Sequence, residues 1–243
     1  MRIHRIYCKS VSETKSVFQL DHAQSMHLSK VLRLSINDEV EVFDGLGSSA
    51  ICKIIEVARS SVSLERIGNI KIDEISNTRL GFVLPLIKKE NFQFMIQKLC
   101  EVGASEFIFY KPDLIDQSIA KKDSSKIYNK SEEVIISACK QCGANLLPKT
   151  NFSSSLAEAL LKIDQSSKIF VFDVEAKDSF NTSCINSNNI FVITGAESGF
   201  SDAELKLMKE KDFSFKLLSK NILRAETAPI VVASLIQNHF DKI

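Results

Sequence analysis

Apolar and polar positions follow two different rhythms along this chain. In the first part the apolar residues fall in short runs, EVEVFDG, SSAICKIIEVA and SSVSLERIG, rich in Val and Ile and separated by Asp44-Gly45, Gly47-Ser48 and Arg59-Ser60. Runs of this length bounded by turn formers predict strands, and short strands at this spacing predict a small barrel. A helix is predicted over 21–32, with Asp21 as its N-cap. From residue 79 the rhythm changes. LGFVLPLI is an unbroken apolar run, the pattern of a strand covered on both faces. Phe92, Met95, Ile96, Leu99 and Val102 then recur at helical spacing. FIFY, KIFVFDV, NIFVITG and FSFKLL repeat the buried-strand pattern, separated mostly by helical segments around 125–142, 153–162 and 201–210. A last helix carries Ala228, Val231, Val232, Leu235 and Ile236. Such alternation predicts an α/β domain with a mostly parallel sheet covered on both sides. The polar stretch Asp73–Thr78 reads as the linker, giving domains 1–73 and 74–243. Ligands of such sheets bind beyond the carboxyl ends of the strands, so the loops after Val174, Thr194 and Leu218 are where chemistry is predicted.

Composition narrows the class. With 243 residues the chain has room for one large domain or two smaller ones, and 44% hydrophobic with 25% charged residues excludes disorder, collagen and a coiled coil. The 31 basic and 30 acidic residues leave a net charge of +1, which excludes a histone-like polycation. The balance is uneven, however: residues 1–34 hold six basic residues (Arg2, Arg5, Lys9, Lys15, Lys30, Arg33) against Glu13 and Asp21. No apolar stretch of about 20 residues exists, so no membrane span is expected. MRIHRIYCKSVSETK lacks the apolar core of a signal peptide. Six scattered cysteines are too few for a disulfide framework in a chain of this length, and a cytoplasmic location is expected.

Four segments are candidates for chemistry. Thr194-Gly195-Ala196-Glu197-Ser198-Gly199 joins a predicted strand to a predicted helix that starts with a capping box, Ser201 and Glu204, and a hydrophobic staple, Phe200 with Leu205. Its glycines let a ligand approach the backbone, or simply let the chain turn. The segment is neither a GxGxxG dinucleotide fingerprint nor a Walker A loop. Ser219–Ala228 lies between the last strand and the last helix, with Thr227 as N-cap, Pro229 in the first turn, and Arg224 and Glu226 just ahead, placed in a site or in a surface ion pair. Cys139-Lys-Gln-Cys142 has no second ligand pair for zinc and reads as two buried helix cysteines. On the 21–32 helix, His22, Ser29 and Arg33 fall near one stripe with Lys30 alongside, either a solvated face or an RNA contact. Lys121, Lys122, Lys126 and Lys130 lie in a polar stretch read as mobile.

Five segments in order resemble the ribosomal RNA small-subunit methyltransferase E (RsmE) family of the SPOUT superfamily. HLSKVLRLSINDEVEVFDGLG resembles the family's HLxxVLRLxxGDxVxxFDGxG, and IQKLCEVGA its IQKxxELG helix. SACKQCGANLLP is similar to EAxxQxGRxxxP, ITGAESGFSDAE to IGPEGGFSxxE, and LLSKNILRAETA to LGxRILRTETA. The resemblance implies a PUA-like N-terminal β-barrel that binds RNA, followed by an α/β SPOUT domain closed by a C-terminal trefoil knot, against the general rarity of knots. It implies a homodimer, S-adenosyl-L-methionine as cofactor and no metal. The implied reaction is methylation of uracil N3 at a uridine near the 3′ end of 16S rRNA, in the assembled small ribosomal subunit.

Carried over residue by residue, the resemblance places the cofactor against Thr194, Gly195, Glu197, Gly199, Leu218, Ile222, Leu223 and Thr227. For that reaction Arg224 is the candidate cation to stabilise the uracil anion, with Glu226 beside it, and the basic excess of the N-terminus makes Arg2, Arg5, His22, Lys30 and Arg33 the candidate RNA contacts. This chain departs from the family at three arginines, whose positions hold Ala144, Asn221 and, after Asp113, Leu114. Those losses define a rival expectation, an RNA-binding ribosome-assembly factor of the same fold with weak or lost catalysis.

Overall fold

The computed structural model describes residues 3–74, 76–121 and 124–243. The chain divides into two compact units, Met1–Ile75 with Cys139–Leu147, and Ser76–Ala138 with Pro148–Ile243.

The first unit is built on β1 (His4–Tyr7), β2 (Val17–Gln19), α1 (His22–Met26), β3 (Glu39–Phe43), β4 (Ser48–Val57), β5 (Val62–Arg66) and β6 (Lys71–Ile72). The strands pair in the order β1-β3-β4-β5-β2, with β6 on β4; β1 runs parallel to β3 and the other pairs are antiparallel. The inward positions of β3, β4 and β5, Val40, Val42, Cys52, Ile54, Val62 and Leu64, join Ile6, Val11 and Leu28 in one core. This is the period-two alternation of half-buried strands. Arg5 is recruited into this framework. Its guanidinium sits 4.6 Å over the Phe43 ring, pairs with Glu41 at 2.9 Å and donates to Cys139 O at 2.8 Å. It also donates to the Asn145 side chain, so residues 139–147 are pinned to the strands through one cation.

The helix expected over 21–32 begins as predicted, with Asp21 accepting from Gln24 N at 2.7 Å. Its second half, His27–Val31, is a π-helix, and Leu32 N bonds His27 O. The wider turn advances the register, and Arg33 leaves the helix in the left-handed region (φ 54°). Arg33 therefore lies beyond the helix that carries His22 and Ser29.

The second unit contains β7 (Arg79–Pro85), α2 (Lys89–Glu101), β8 (Glu106–Tyr110), α3 (Gln117–Ala120), α4 (Ser124–Cys142, whose last four residues belong to the first unit), β9 (Lys149–Ser153), α5 (Leu156–Leu160), β10 (Lys168–Phe172), β11 (Asn189–Thr194), α6 (Asp202–Glu210), β12 (Ser214–Lys216) and α7 (Thr227–His239). Its six strands are all parallel, in the order β12-β10-β11-β7-β8-β9. The chain lays down β7, β8 and β9 in one direction and then returns on the other side of β7. The order reverses between β11 and β7, the position where open parallel sheets form a crevice at their carboxyl ends. β7 and β11 are buried almost throughout, as their unbroken apolar runs required. They approach so closely that a Cβ on Gly81 would lie 2.4 Å from the Phe191 ring.

Several expectations change. The helix expected around 125–142 is the 19-residue α4, which takes in Lys126 and Lys130 of the stretch also read as mobile, while Lys122 lies outside the described residues. Of the two helix cysteines, Cys139 is buried and Cys142 is exposed. Thr227 is the first residue of α7, and its cap position falls on Glu226, which already has helical φ/ψ. The edge strand β9 was missed, because KTNFS alternates without an apolar run.

Candidate active site

The crevice at the carboxyl ends of the sheet opens into a cavity of about 600 Å³. Three stretches of chain wall it: Thr194–Phe200 after β11, Ile222–Glu226 before α7, and Phe172–Val174 after β10. Lys88 at the start of α2, Asn91 in its first turn and Ala228 of α7 complete the lining. The volume is that of an ordinary small-molecule site.

The wall after β11 is held from several sides. Ala196 to Gly199 makes a tight turn, closed by Gly199 N donating to Ala196 O at 2.9 Å, with Gly199 at φ +75°. A Cβ on Gly195 would meet the Gly199 backbone at 3.1 Å, so the turn needs both glycines. The capping box is formed in full: Ser201 Oγ accepts from Glu204 N at 3.1 Å, and Glu204 accepts from Ser201 N at 2.8 Å. Glu204 also accepts from Asp113 N, and Ser201 Oγ donates to Asp113 at 2.6 Å, tying the start of α6 to the loop after β8. Burial pushes the Glu204 carboxyl above its ordinary range, partly offset by the Ser201 and Asp113 backbone donors, while the Asp113 charge raises it further. Glu197 accepts from Lys88 N at 3.3 Å and joins this loop to the α2 turn. Deeper in, Thr194 is buried, and its Oγ1 has no partner among the described residues.

The wall before α7 is different in kind. Asn221 N donates to Ser219 Oγ at 3.1 Å, and the Arg224 carbonyl accepts from Thr227 and Ala228 N, starting α7. The Arg224 side chain is 82% exposed, and its nearest charged partner is Glu226 at 3.9 Å, whose own side chain is 10% exposed. Ile222 is also largely exposed and presents an apolar surface to the cavity.

Of the residues expected to hold a cofactor, Thr194, Gly195, Glu197, Gly199, Ile222 and Leu223 line this cavity, as do Arg224 and Glu226. Leu218 lines a smaller space of about 60 Å³ that shares Phe172, Asp173, Val174, Leu223 and Ala228 with it. Thr227 is not among the lining residues. Lys88, Asn91, Phe172 and Asp173 were not expected; only the rule that ligands sit beyond strand ends could have pointed to them. A separate cavity of about 590 Å³, lined by Ile87, Phe92, Ile119, Ile127, Lys126 and Lys130 among others, holds none of the expected cofactor residues.

The expected RNA contacts fare unevenly. Arg2 lies outside the described residues. Arg5 is committed to the fold of the first unit, its donors turned to Glu41, Cys139 O and Asn145, and is corrected to a structural residue. His22 Nδ1 lies 3.3 Å from Ser60 O, while Lys30 and Arg33 are exposed. Among the described residues no group of three or more His, Cys, Asp or Glu is placed to hold a metal ion, and no helix is long and apolar enough to cross a membrane.

A family model described as an RNA methyltransferase domain matches residues 74–237, and one described as an RNA methyltransferase PUA domain matches residues 20–65. The chain belongs to this RNA methyltransferase family. The Ribosomal RNA small subunit methyltransferase E of Buchnera aphidicola (subsp. Acyrthosiphon pisum) is 26% identical, covering 98% of this chain and 94% of its own. Ribosomal RNA small subunit methyltransferase E 1 of Borreliella burgdorferi is 29% identical, covering 93% of each. The crystal structure of the E enzyme from Neisseria gonorrhoeae, bound to S-adenosyl methionine, has the same fold at 23% identity, with a TM-score of 0.85 over 98% of each chain. These matches place the chain in the RsmE family, with its PUA-like domain followed by its methyltransferase domain.

Proposed function

We propose that this protein transfers a methyl group from S-adenosyl-L-methionine to N3 of a uridine near the 3′ end of 16S rRNA, in the assembled small ribosomal subunit. The observation that carries the reading is one cavity that gathers a glycine turn, an unpartnered buried hydroxyl, apolar walls and an exposed arginine. The residues fit the cofactor. The Gly195–Gly199 turn admits a planar group against the backbone, and Thr194 Oγ1 lacks the partner a buried hydroxyl requires. Phe172, Val174, Ile222 and Leu223 give apolar surface, and Asp173 and Glu226 give carboxylates for a cation. When bound, the cofactor supplies an electrophilic methyl group on a sulfonium.

The chain's own residues then handle the acceptor. Uracil N3 carries a proton at neutral pH and becomes nucleophilic when that proton leaves. Arg224 stabilises the anion at a carbonyl oxygen, as a donor aimed at developing charge. Glu226, 3.9 Å away, orients the guanidinium, and a carboxylate or water accepts the proton. Methyl transfer is an in-line displacement, so positioning contributes much of the rate. The exposed Lys30 and Arg33 hold RNA phosphates from the first unit. The reading carries with it a homodimer, a knotted C-terminal segment and a cytoplasmic location, each supported by the family resemblance, and it needs no metal.

The second reading, a ribosome-assembly factor with weak catalysis, draws support from the neutral positions Ala144, Leu114 and Asn221 and from the unclamped Arg224. One experiment separates the two: mass spectrometry of 16S rRNA nucleosides from cells lacking and expressing the gene. The enzyme reading expects 3-methyluridine only with the gene; its absence in both, with the cofactor bound, favours the assembly factor.

A further inference from the structure

Two of the cavity's walls suit a cofactor, with glycines, backbone and apolar side chains. The turn into α2 is chemically unlike them. Lys88 and Asn91 line the same cavity. Lys88 occupies the cap position of α2 but makes no side-chain capping bond, and its side chain is 64% exposed. The Asn91 side chain has no hydrogen-bond partner among the described residues. What is fixed is the backbone of this turn, because Lys88 N donates to Glu197 of the glycine loop. The turn is thus registered to the loop expected to hold the cofactor, with the Lys88 ammonium 3.8 Å from Asp116 at an open, 64% exposed position.

We propose that Lys88 is a second catalytic cation, touching the uracil from the α2 wall while Arg224 approaches from the α7 wall. The inference rests on the reading of the preceding section. Uracil offers two carbonyl oxygens flanking N3, and the N3 anion spreads its charge onto both. As N3 forms its bond to the methyl carbon, the carbon–sulfur electron pair stays on sulfur and the N3 proton has gone to a base or to water. A single cation at one oxygen leaves the other to water. Two cations from separate walls hold both oxygens and fix the plane of the ring, with N3 between them. The Asn91 amide, a donor and an acceptor together, lies one helical turn along the same wall for the remaining edge of the base. Charges facing Lys88 are mixed: Asp116 lies 3.8 Å from Nζ, and Asp173, Glu197, Arg224 and Glu226 line the cavity. The Asp116 carboxylate holds the ammonium by an ion pair that substrate must compete with.

The test uses Lys88→Met, which keeps the stem and removes the charge, and Lys88→Arg, which keeps the charge. Methyl incorporation into small subunits is followed at single turnover across pH, with cofactor affinity and thermal stability measured in parallel. Lys88→Met is expected to lose roughly tenfold or more in rate, less than a fully enclosed donor would cost because the site is open. Cofactor affinity and stability stay unchanged, Lys88→Arg recovers most of the loss, and the rate of Lys88→Met keeps rising at pH values where the parent has levelled. Subunits containing 5-fluorouridine give the decisive readout. Fluorine makes N3 more acidic, so the anion needs less help and Lys88→Met recovers on that substrate. A Lys88→Met protein as fast as the parent overturns the proposal while leaving the function standing. So does a slow variant that fluorouridine does not rescue, which marks Lys88 as structural. A parent that binds cofactor and methylates no subunit overturns the function itself, and this inference with it.

Discussion

The loop after β11 and the segment before α7 face each other across one cavity, and they are built on opposite terms. Residues 195–201 are tied by a complete capping box, by Glu204 and Ser201 to Asp113, and by Glu197 to Lys88 N. Residues 219–226 have one short side-chain bond, Ser219 to Asn221, and a turn at the Arg224 carbonyl, while Ile222 and Arg224 stand in solvent. The first wall is preorganised, so its cost is met in folding; the second presents exposed side chains, of which Arg224 has only the 3.9 Å approach of Glu226 to orient it before a ligand or RNA arrives. Transition-state stabilisation needs groups that strengthen as the reaction proceeds. A side chain that gains its contacts on binding can do that, and a fully satisfied one has nothing left to gain.

Substitutions on the two walls should therefore separate into different observables. The largest effect belongs to the open wall: Arg224→Ala is expected to lower single-turnover methylation roughly a hundredfold or more with no change in melting temperature, because an exposed guanidinium supports nothing else. Arg224→Lys should recover only part, since an ammonium lacks the planar fork. An Arg224→Ala protein as fast as the parent removes the arginine from the mechanism. On the tied wall, Ser201→Ala should cost stability, about 1–2 kcal/mol for a lost cap, and weaken cofactor binding in step as the glycine turn loosens. Denaturant unfolding and calorimetry read both, and a stable variant with normal affinity would erase the contrast. Ile222→Ser should leave stability alone and weaken cofactor binding about fivefold, by removing part of one apolar side chain's burial.

The sequence carried the parallel sheet well, because β7, β8, β10 and β11 are covered on both faces and have to be apolar throughout. β9, at the edge, needs no such run and left no signal. The tied wall was equally legible: Ser201, Glu204, Gly195 and Gly199 are local requirements of a turn and a helix start. What was hidden depended on contacts between distant segments. Arg5 looked like one more basic residue of the N-terminus, yet its partners Cys139 and Asn145 lie more than 130 residues away. Lys88 and Asn91 enter the cavity through strand order alone, since β7 precedes β11 by over a hundred residues and lies beside it in the sheet. The π turn at His27–Val31 shows the reverse failure, a helix correctly expected but with its faces shifted by one irregular turn.

The smallest effect expected is a pH dependence, and it isolates Glu204 at the base of the tied wall. Burial raises the Glu204 pKa above its ordinary value of 4.5, even with two backbone N–H groups opposing the rise. A carboxyl raised in the folded state binds its proton more tightly there than in the unfolded chain. Its contribution is therefore full below the unfolded pKa and is lost as pH rises through the folded one. Glu158 runs the other way: Lys162 and Ser154 hold it down to about 2, so its contribution is present above the ordinary range and fades as pH falls toward that value. Asp164, lowered by Ser166, behaves likewise. The two windows do not overlap, one lying below the ordinary carboxylate range and one above it. Glu204→Gln cannot ionise and keeps one acceptor oxygen for two donors, so it should be somewhat less stable overall. Its stability should lack the decline that the parent shows just above pH 4.5. Denaturant unfolding of both proteins from pH 4 to 7 measures the difference, and parallel curves would mean that the buried carboxylate is solvated or paired well enough to ionise freely. If the decline is confined to the parent, the preorganised wall contains a strained charge at its base, and tightening toward lower pH should appear also as stronger cofactor binding in the parent but not in Glu204→Gln.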